Sequence, residues 1–195
     1  MEEKLKQKSA DLIKVVLFGP ESTGKTTLAE TLANQYNTKW VPEYMREYLQ
    51  EKWDKEKKIC EPKDLLPIAE GQMLWENNLS DKANKILFCD TNLLELKVYS
   101  EAYYNGYCPE PIEKYALKNE YNLYFLTYID VPWEEDDLRD KPNDRENMFL
   151  RFKNTLETNN IQYVLLKGDF KTRLQTASNH IEKLINKYDD THRSR

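Results

Sequence analysis

A chain of 195 residues is long enough for one domain with a substantial core and too short for two catalytic domains side by side. Its 29 Lys and Arg are outnumbered by 34 Asp and Glu, and the net charge of −5 argues against a nucleic-acid-binding surface and for a small-molecule partner. Cys60, Cys89 and Cys108 form no C-x-x-C pair and leave an odd count, so neither a disulfide framework nor a zinc site is expected. Apolar runs of a few residues fall far short of the ~20 that span a bilayer.

These features together predict a cytoplasmic protein with no membrane partner. Residues 1–12 are charged and lack a usable period, which reads as a poorly ordered or weakly helical lead-in. The first strand is expected over 14–18, within the apolar run Ile13 to Phe18, and an amphipathic helix follows from Lys25 to Tyr36. Lys39 to Val41 is a short second strand before Pro42. Helices are expected over 43–52 and from the Pro62–Pro67 region to about Ala83. Ile86 to Cys89 is a buried strand ending in Asp90, with a helix to about Tyr104 and an Asn105-Gly106 turn. A strand over 123–129 precedes a highly charged stretch, about 133–144, that reads as a lid. A helix over 145–159, a strand over 163–166 and a helix over 171–188 complete a domain of residues 13–189, with a tail over 190–195. Strands alternating with helices predict an α/β three-layer sandwich on a mainly parallel, five-stranded sheet. Ligands in such a fold bind outside the carboxyl ends of the strands.

Between the first strand and its helix lies Gly19-Pro20-Glu21-Ser22-Thr23-Gly24-Lys25-Thr26, which fits the phosphate-binding P-loop G-x-x-x-x-G-K-[ST] in the strand-to-helix context that motif requires. Its glycines let backbone N–H groups turn toward phosphate oxygens, and the helix N-terminus adds a positive dipole end. Gly19, Glu21, Ser22, Thr23, Gly24, Lys25, Thr26 and Thr27 are thus the expected ATP-binding residues, with Lys25 on the β and γ phosphates and the Thr26 hydroxyl on Mg²⁺.

Asp90 ends its strand in the Walker B manner and has two readings: a Mg²⁺ ligand, or the N-cap of the next helix. No second acid follows to activate water, as motor ATPases need, and no Asn-Lys-x-Asp signature selects guanine. The segment Glu43-Tyr44-Met45-Arg46-Glu47 stands just beyond the second strand, where kinases of this architecture hold the acceptor. In one reading Glu43 orients and deprotonates the attacking hydroxyl and Arg46 steadies charge. In the other, Glu43, Arg46 and Glu47 are a solvated ion-pair face. Arg139 and Arg145 are candidates to stabilise the transferring phosphoryl group, against ordinary surface pairing. Gln72 is a candidate reader of a substrate amide edge, against a solvent-facing glutamine, and Trp40, Tyr44, Trp75, Tyr104 and Trp133 lie on segments able to border a pocket, against ordinary core packing.

With these residues in hand the chain resembles the bacterial ribosylnicotinamide kinases, the kinase domain of NadR-type proteins in stand-alone form. The likeness rests on the P-loop, on Glu43-Tyr44-x-Arg46-Glu47, on Asp90-Thr91, and on Val131-Pro132-Trp133-x-x-Asp136-x-Leu138-Arg139, and it extends from Lys14 to Ile185. It implies transfer of phosphate from MgATP to the 5′-hydroxyl of nicotinamide riboside, for NAD synthesis. Glu43, Tyr44, Arg46, Gln72, Asp90 and Trp133 would lie at the substrate, Lys25, Glu43, Asp90, Arg139 and Arg145 at the reaction, and Thr26 and Asp90 at the metal. Two departures stand out. Pro42 occupies the place of an expected aromatic, which Trp40 or Tyr44 would have to replace, and Asn92 the place of an expected acid. The alternatives are another nucleoside or nucleoside-monophosphate kinase, or an ATP-binding regulator without turnover.

Overall fold

The computed structural model describes residues 2–133 and 144–193. Five strands, β1 (Ile13–Phe18), β2 (Lys39–Val41), β3 (Ile86–Asp90), β4 (Leu123–Thr127) and β5 (Tyr163–Leu166), form one sheet in the order β2-β3-β1-β4-β5. Every pairing between them is parallel. Such a sheet is covered on both faces, so its central strands are apolar throughout, and all six residues of β1 are buried. Successive side chains alternate between two cores. Val16, Phe18, Leu87, Cys89 and Leu126 face one, while Val15, Leu17, Phe88 and Phe125 face the other.

The second core is closed by α1 (Lys25–Gln35) through Leu28, Ala29, Leu32 and Ala33, and by α7 (Phe170–Arg193) through Ala177 and Ile181. The first is closed by α3 (Leu65–Ser80), α4 (Leu93–Tyr103), α5 (Glu110–Lys118) and α6 (Arg145–Thr158), with α2 (Tyr44–Glu56) packed at its rim. The result is the expected three-layer arrangement, and no helix of the described residues is long and apolar enough to cross a membrane.

Three features depart from the sequence expectation. Helix α5 was not anticipated. The lead-in is docked: a 3-10 turn over Glu2–Leu5 buries Leu5 completely, Gln7 Nε2 donates to Glu76 at 2.8 Å, and the Gln7 N–H donates to Asn119 at 3.2 Å. Helix α7 continues to Arg193, through most of the expected tail. The lid lies almost wholly outside the described residues, as does Arg139.

The chain leaves β1 toward the β3–β2 side of the sheet and later crosses to β4 and β5 on the other, so β1 sits at the point where the order reverses. That reversal opens a crevice at the strand ends. The P-loop, the β2–α2 junction and Asp90 all project there.

Candidate active site

The P-loop geometry explains its residue types. At Gly19 (φ 147°) a Cβ would lie 2.4 Å from Thr127 Oγ1, so a side chain has no room, whereas Gly24 (φ 80°) meets nothing and is required by its backbone alone. Ser22 also takes a positive φ, of 56°. Thr23 Oγ1 lies 2.7 Å from both Pro20 O and Thr127 Oγ1, tying the loop to the end of β4.

Lys25 is buried, and its ammonium donates to Gly19 O at 2.7 Å and Pro20 O at 3.0 Å. Glu95 Oε1, from α4, lies 3.1 Å away and forms an ion pair with it. Burial works against the Lys25 charge, but Glu95, Glu43 and Asp90 together outweigh it and raise its pKa. Glu95 is fully buried, and burial pushes its carboxyl up to about 8; Lys25 opposes that shift, and Glu43 and Asp90 add to it. Asp90 is raised too, by burial first, with Lys25, the Thr26 hydrogen bond and Arg46 pulling it back down. The charges of Glu43, Asp90 and Glu95 thus all bear on one ammonium.

Asp90 Oδ2 accepts from Thr26 Oγ1 at 2.5 Å. The capping role belongs instead to Asn92, whose Oδ1 accepts from the N–H groups of Leu94 and Glu95, each at 3.1 Å, while its Nδ2 donates to Tyr124 Oη at 2.9 Å. Asp90 Oδ1 is buried with no hydrogen-bond partner among the described residues. A buried carboxylate oxygen without a partner, beside a hydroxyl, fits Mg²⁺, which takes one or two protein oxygens and fills its octahedron with phosphate and water. No group of three or more His, Cys, Asp or Glu suited to a metal occurs among the described residues, consistent with such a sparse site. Thr91, immediately after Asp90, has φ 85°, rare for a β-branched residue and of the kind of backbone strain that clusters at functional sites.

A cleft of about 960 Å³ runs across the P-loop, with one lobe on either side. The α2–α4 lobe is lined by Glu43, Met45, Arg46, Trp53, Tyr99 and Tyr104, among others, and the β4–α7 lobe by Asp130, Val131, Pro132, Gly168, Phe170 and Arg173. P-loop residues Glu21 to Thr27 form the floor between them. Glu43 occupies the N-cap position of α2 with extended backbone (φ −73°, ψ 104°) and no capping hydrogen bond from its side chain. It therefore stands ahead of the helix that carries Arg46 and Glu47, and its charge acts on Lys25 and Glu95. Arg46 lines the same cleft.

Several expected substrate residues face elsewhere. Gln72 is buried: its Oε1 accepts from Tyr44 N at 2.8 Å and its Nε2 donates to Pro42 O at 3.1 Å, so both ends of the amide hold the β2–α2 junction. Tyr44 packs over Gly71 of α3 and edge-on to Trp75 at 4.8 Å. Trp40 packs with the core on the α1–α7 side. None of these three lines the cleft; its described aromatics are Trp53, Tyr99, Tyr103, Tyr104 and Phe170, of which the sequence pointed to Tyr104. Arg145, expected at the transferring phosphate, donates to Val131 O at 2.9 Å and Ser22 O at 3.1 Å and sits 5.6 Å over the Trp133 ring. The nearest acceptors are backbone carbonyls, so in this arrangement Arg145 and Trp133 brace the outside of the P-loop.

Sequence reasoning missed Glu95 and Arg173. Glu95 is the third residue after the Asn92 cap, where an acid ordinarily serves the helix dipole, and this disguised its contact with Lys25. Arg173 opens a long amphipathic helix and carries no local signal.

A P-loop after the first strand, a buried acid at the end of the neighbouring strand and a parallel sheet of this order define a nucleotide-binding domain with the fold of the P-loop kinases. The chain belongs to the AAA domain family, whose pattern it matches over residues 14–173. It is similar to the trifunctional NAD biosynthesis/regulator protein NadR of Escherichia coli (strain K12), 31% identical over 159 residues, which cover 80% of this chain and 38% of that protein. It is equally similar to the Salmonella typhimurium NadR, 31% identical over 176 residues, 88% of this chain and 42% of that one. The chain therefore spans about two-fifths of these relatives. Among solved structures, NadR in complex with NR superposes with a TM-score of 0.75 at 22% identity, over 89% of this chain and 51% of that one. A deoxyadenosine kinase from M. mycoides superposes with a TM-score of 0.63 at 15% identity, over 88% of this chain and all of that one. These likenesses establish the shared fold.

Proposed function

We propose that the protein is an ATP-dependent phosphotransferase whose acceptor is the 5′-hydroxyl of nicotinamide riboside, the product being nicotinamide mononucleotide for NAD synthesis. The observation that carries the reading is a cleft lined by the P-loop lysine, by Thr26 and by Glu43, with the acid at the end of β3 bonded to Thr26 just behind it. Similarity to NadR along most of the chain, and the likeness to NadR solved with NR, read as nicotinamide riboside, support that acceptor.

In this reading the nucleotide's phosphates lie on the P-loop N–H groups and Lys25 turns from the loop carbonyls toward the β and γ phosphates. Thr26 and Asp90 would hold Mg²⁺, which neutralises phosphate charge. Glu43 accepts the proton of the 5′-hydroxyl. The freed oxygen forms its bond to the γ phosphorus as the bond from that phosphorus to the bridging oxygen breaks, and ADP carries away the electron pair. Catalysis of this kind is mainly positioning and electrostatics. Asp90 is the rival base, but a carboxylate engaged with Thr26 and a metal is a poorer proton acceptor. The flat pyridinium of the riboside suits a lobe with Trp53, Tyr99 and Tyr104 in its wall through cation–π contact, at about 0.5–2 kcal/mol.

The test is ADP release from MgATP with a panel of nucleosides and nucleoside monophosphates. Turnover dependent on nicotinamide riboside, and abolished in Lys25→Ala, is expected. Turnover on a different acceptor would reassign the lobe, and ATP binding without turnover on any acceptor would make the protein a nucleotide-gated regulator.

A further inference from the structure

Arg173, on the first turn of α7, is 4% exposed, and its guanidinium is bonded on every side. Nε donates to Gly168 O at 3.0 Å, Nη1 to Thr23 O at 2.7 Å and Nη2 to Tyr128 O at 2.8 Å, and Nη2 also pairs with Asp130 Oδ1. Asp130 Oδ2 in turn accepts the Gly168 N–H at 2.6 Å. One planar group thus joins three segments that meet nowhere in sequence: the P-loop, the exit from β4 and the β5–α7 turn. The last two form the walls of the β4–α7 lobe, and the first is its floor.

We propose that Arg173 is the positioning residue of the nucleotide-donor half of the cleft: with the riboside assigned to the aromatic α2–α4 lobe, the β4–α7 lobe is left for the donor's base, and Arg173 fixes the phosphate-binding loop at a set distance from it. The proposal rests on the phosphoryl-transfer reading above and extends it to a residue whose guanidinium is committed to the protein's own carbonyls and to Asp130. The physical argument is preorganisation. A triphosphate held at one end and a base at the other bind tightly only if loop and lobe keep their spacing before the ligand arrives, and otherwise ordering them is charged against affinity. Arginine suits this task because its rigid fork meets several acceptors in one plane, which a lysine ammonium does not. The acceptor lobe lies across the P-loop and makes none of these contacts, so the effect of losing them falls on the donor.

The experiment measures binding of a non-hydrolysable ATP analogue with Mg²⁺ by calorimetry on the full chain, together with kcat and both KM values. In Arg173→Met the donor Kd and KM should rise about tenfold or more, while acceptor KM and kcat at saturating donor stay within about threefold. Arg173→Lys should recover less than half of the lost affinity. Donor Kd unchanged, or acceptor KM and kcat moving as far as the donor terms, would overturn the proposal. If Arg173→Met does not fold, Asp130→Asn keeps the three carbonyl contacts and should still weaken donor binding about threefold; unchanged binding there would overturn it as well. Wild-type protein that fails to bind the analogue would remove the nucleotide reading itself, a result distinct from a wild type that binds and variants that do not differ.

Discussion

The three carboxyls whose charges act on Lys25 differ in their surroundings. Glu43 lines the cleft, Asp90 is tied to Thr26, and Glu95 is fully buried. Glu43→Gln keeps size and one acceptor oxygen but removes the proposed base, so steady-state assays should show kcat falling by about 10² or more with donor KM within about threefold. An unchanged kcat in a folded variant would return Glu43 to a surface role. Glu95 has a thermodynamic signature. Its folded pKa, about 8, lies above the ordinary 4.5, so between those values the folded protein holds a proton that the unfolded chain has released. Stability from this group is full below about pH 4.5 and is lost as pH rises through about 8, at up to about 1.4 kcal/mol per pH unit. Melting temperatures of Glu95→Gln across that range should show the slope removed; an identical slope would place the proton elsewhere. The meeting of Thr26 with Asp90 was legible because a P-loop and a strand-end acid have fixed spatial meanings. Glu95 was not, because its partner is a lysine 70 residues earlier in the chain.

At the scale of elements, α3 acts as the jig for the β2–α2 junction. A Cβ on Gly71 would come within 2.0 Å of the Tyr44 ring, and Gln72 holds Pro42 and Tyr44 by their backbone. Gly71→Ala should therefore displace α2 and lower stability by about 1–3 kcal/mol in denaturant melts. Gln72→Ala should raise acceptor KM with little change in donor KM, since it frees the segment that presents Glu43. Equal effects on both substrates would show that Gln72 serves the whole fold. The strands were readable from β-branched and aromatic runs, and β2 and β5 have the expected bounds. Helix α5 was hidden because it has nine residues, carries a proline in its first turn and buries only Ile112, Tyr115 and Ala116. Proline there is compatible with a helix start, yet it reads in sequence as a breaker. The orientation of Tyr44 and Gln72 depends on α3 lying across the junction, which helical periodicity alone does not specify.

For the molecule as a whole, parallel strand–helix units place the P-loop, Glu43 and Asp90 on one edge of the sheet, and that consequence was available from the alternation of elements. The strand order was not, because it depends on where each crossover lands. The charged N-terminal stretch concealed its docking, since its anchoring is a single buried leucine plus polar contacts to α3 and the end of α5. Leu5→Ala should cost about 2–4 kcal/mol of stability while leaving KM values intact, and a loss under about 0.5 kcal/mol would mean the segment is only loosely held. The central claim, that this cleft moves a phosphoryl group from ATP to a pyridinium riboside, is met most directly by identifying the product. Nicotinamide riboside incubated with MgATP and the protein should yield the 5′-monophosphate and ADP in equal amounts by phosphorus NMR and mass spectrometry. ATP bound and left intact in the presence of the riboside, with no monophosphate formed, would contradict it.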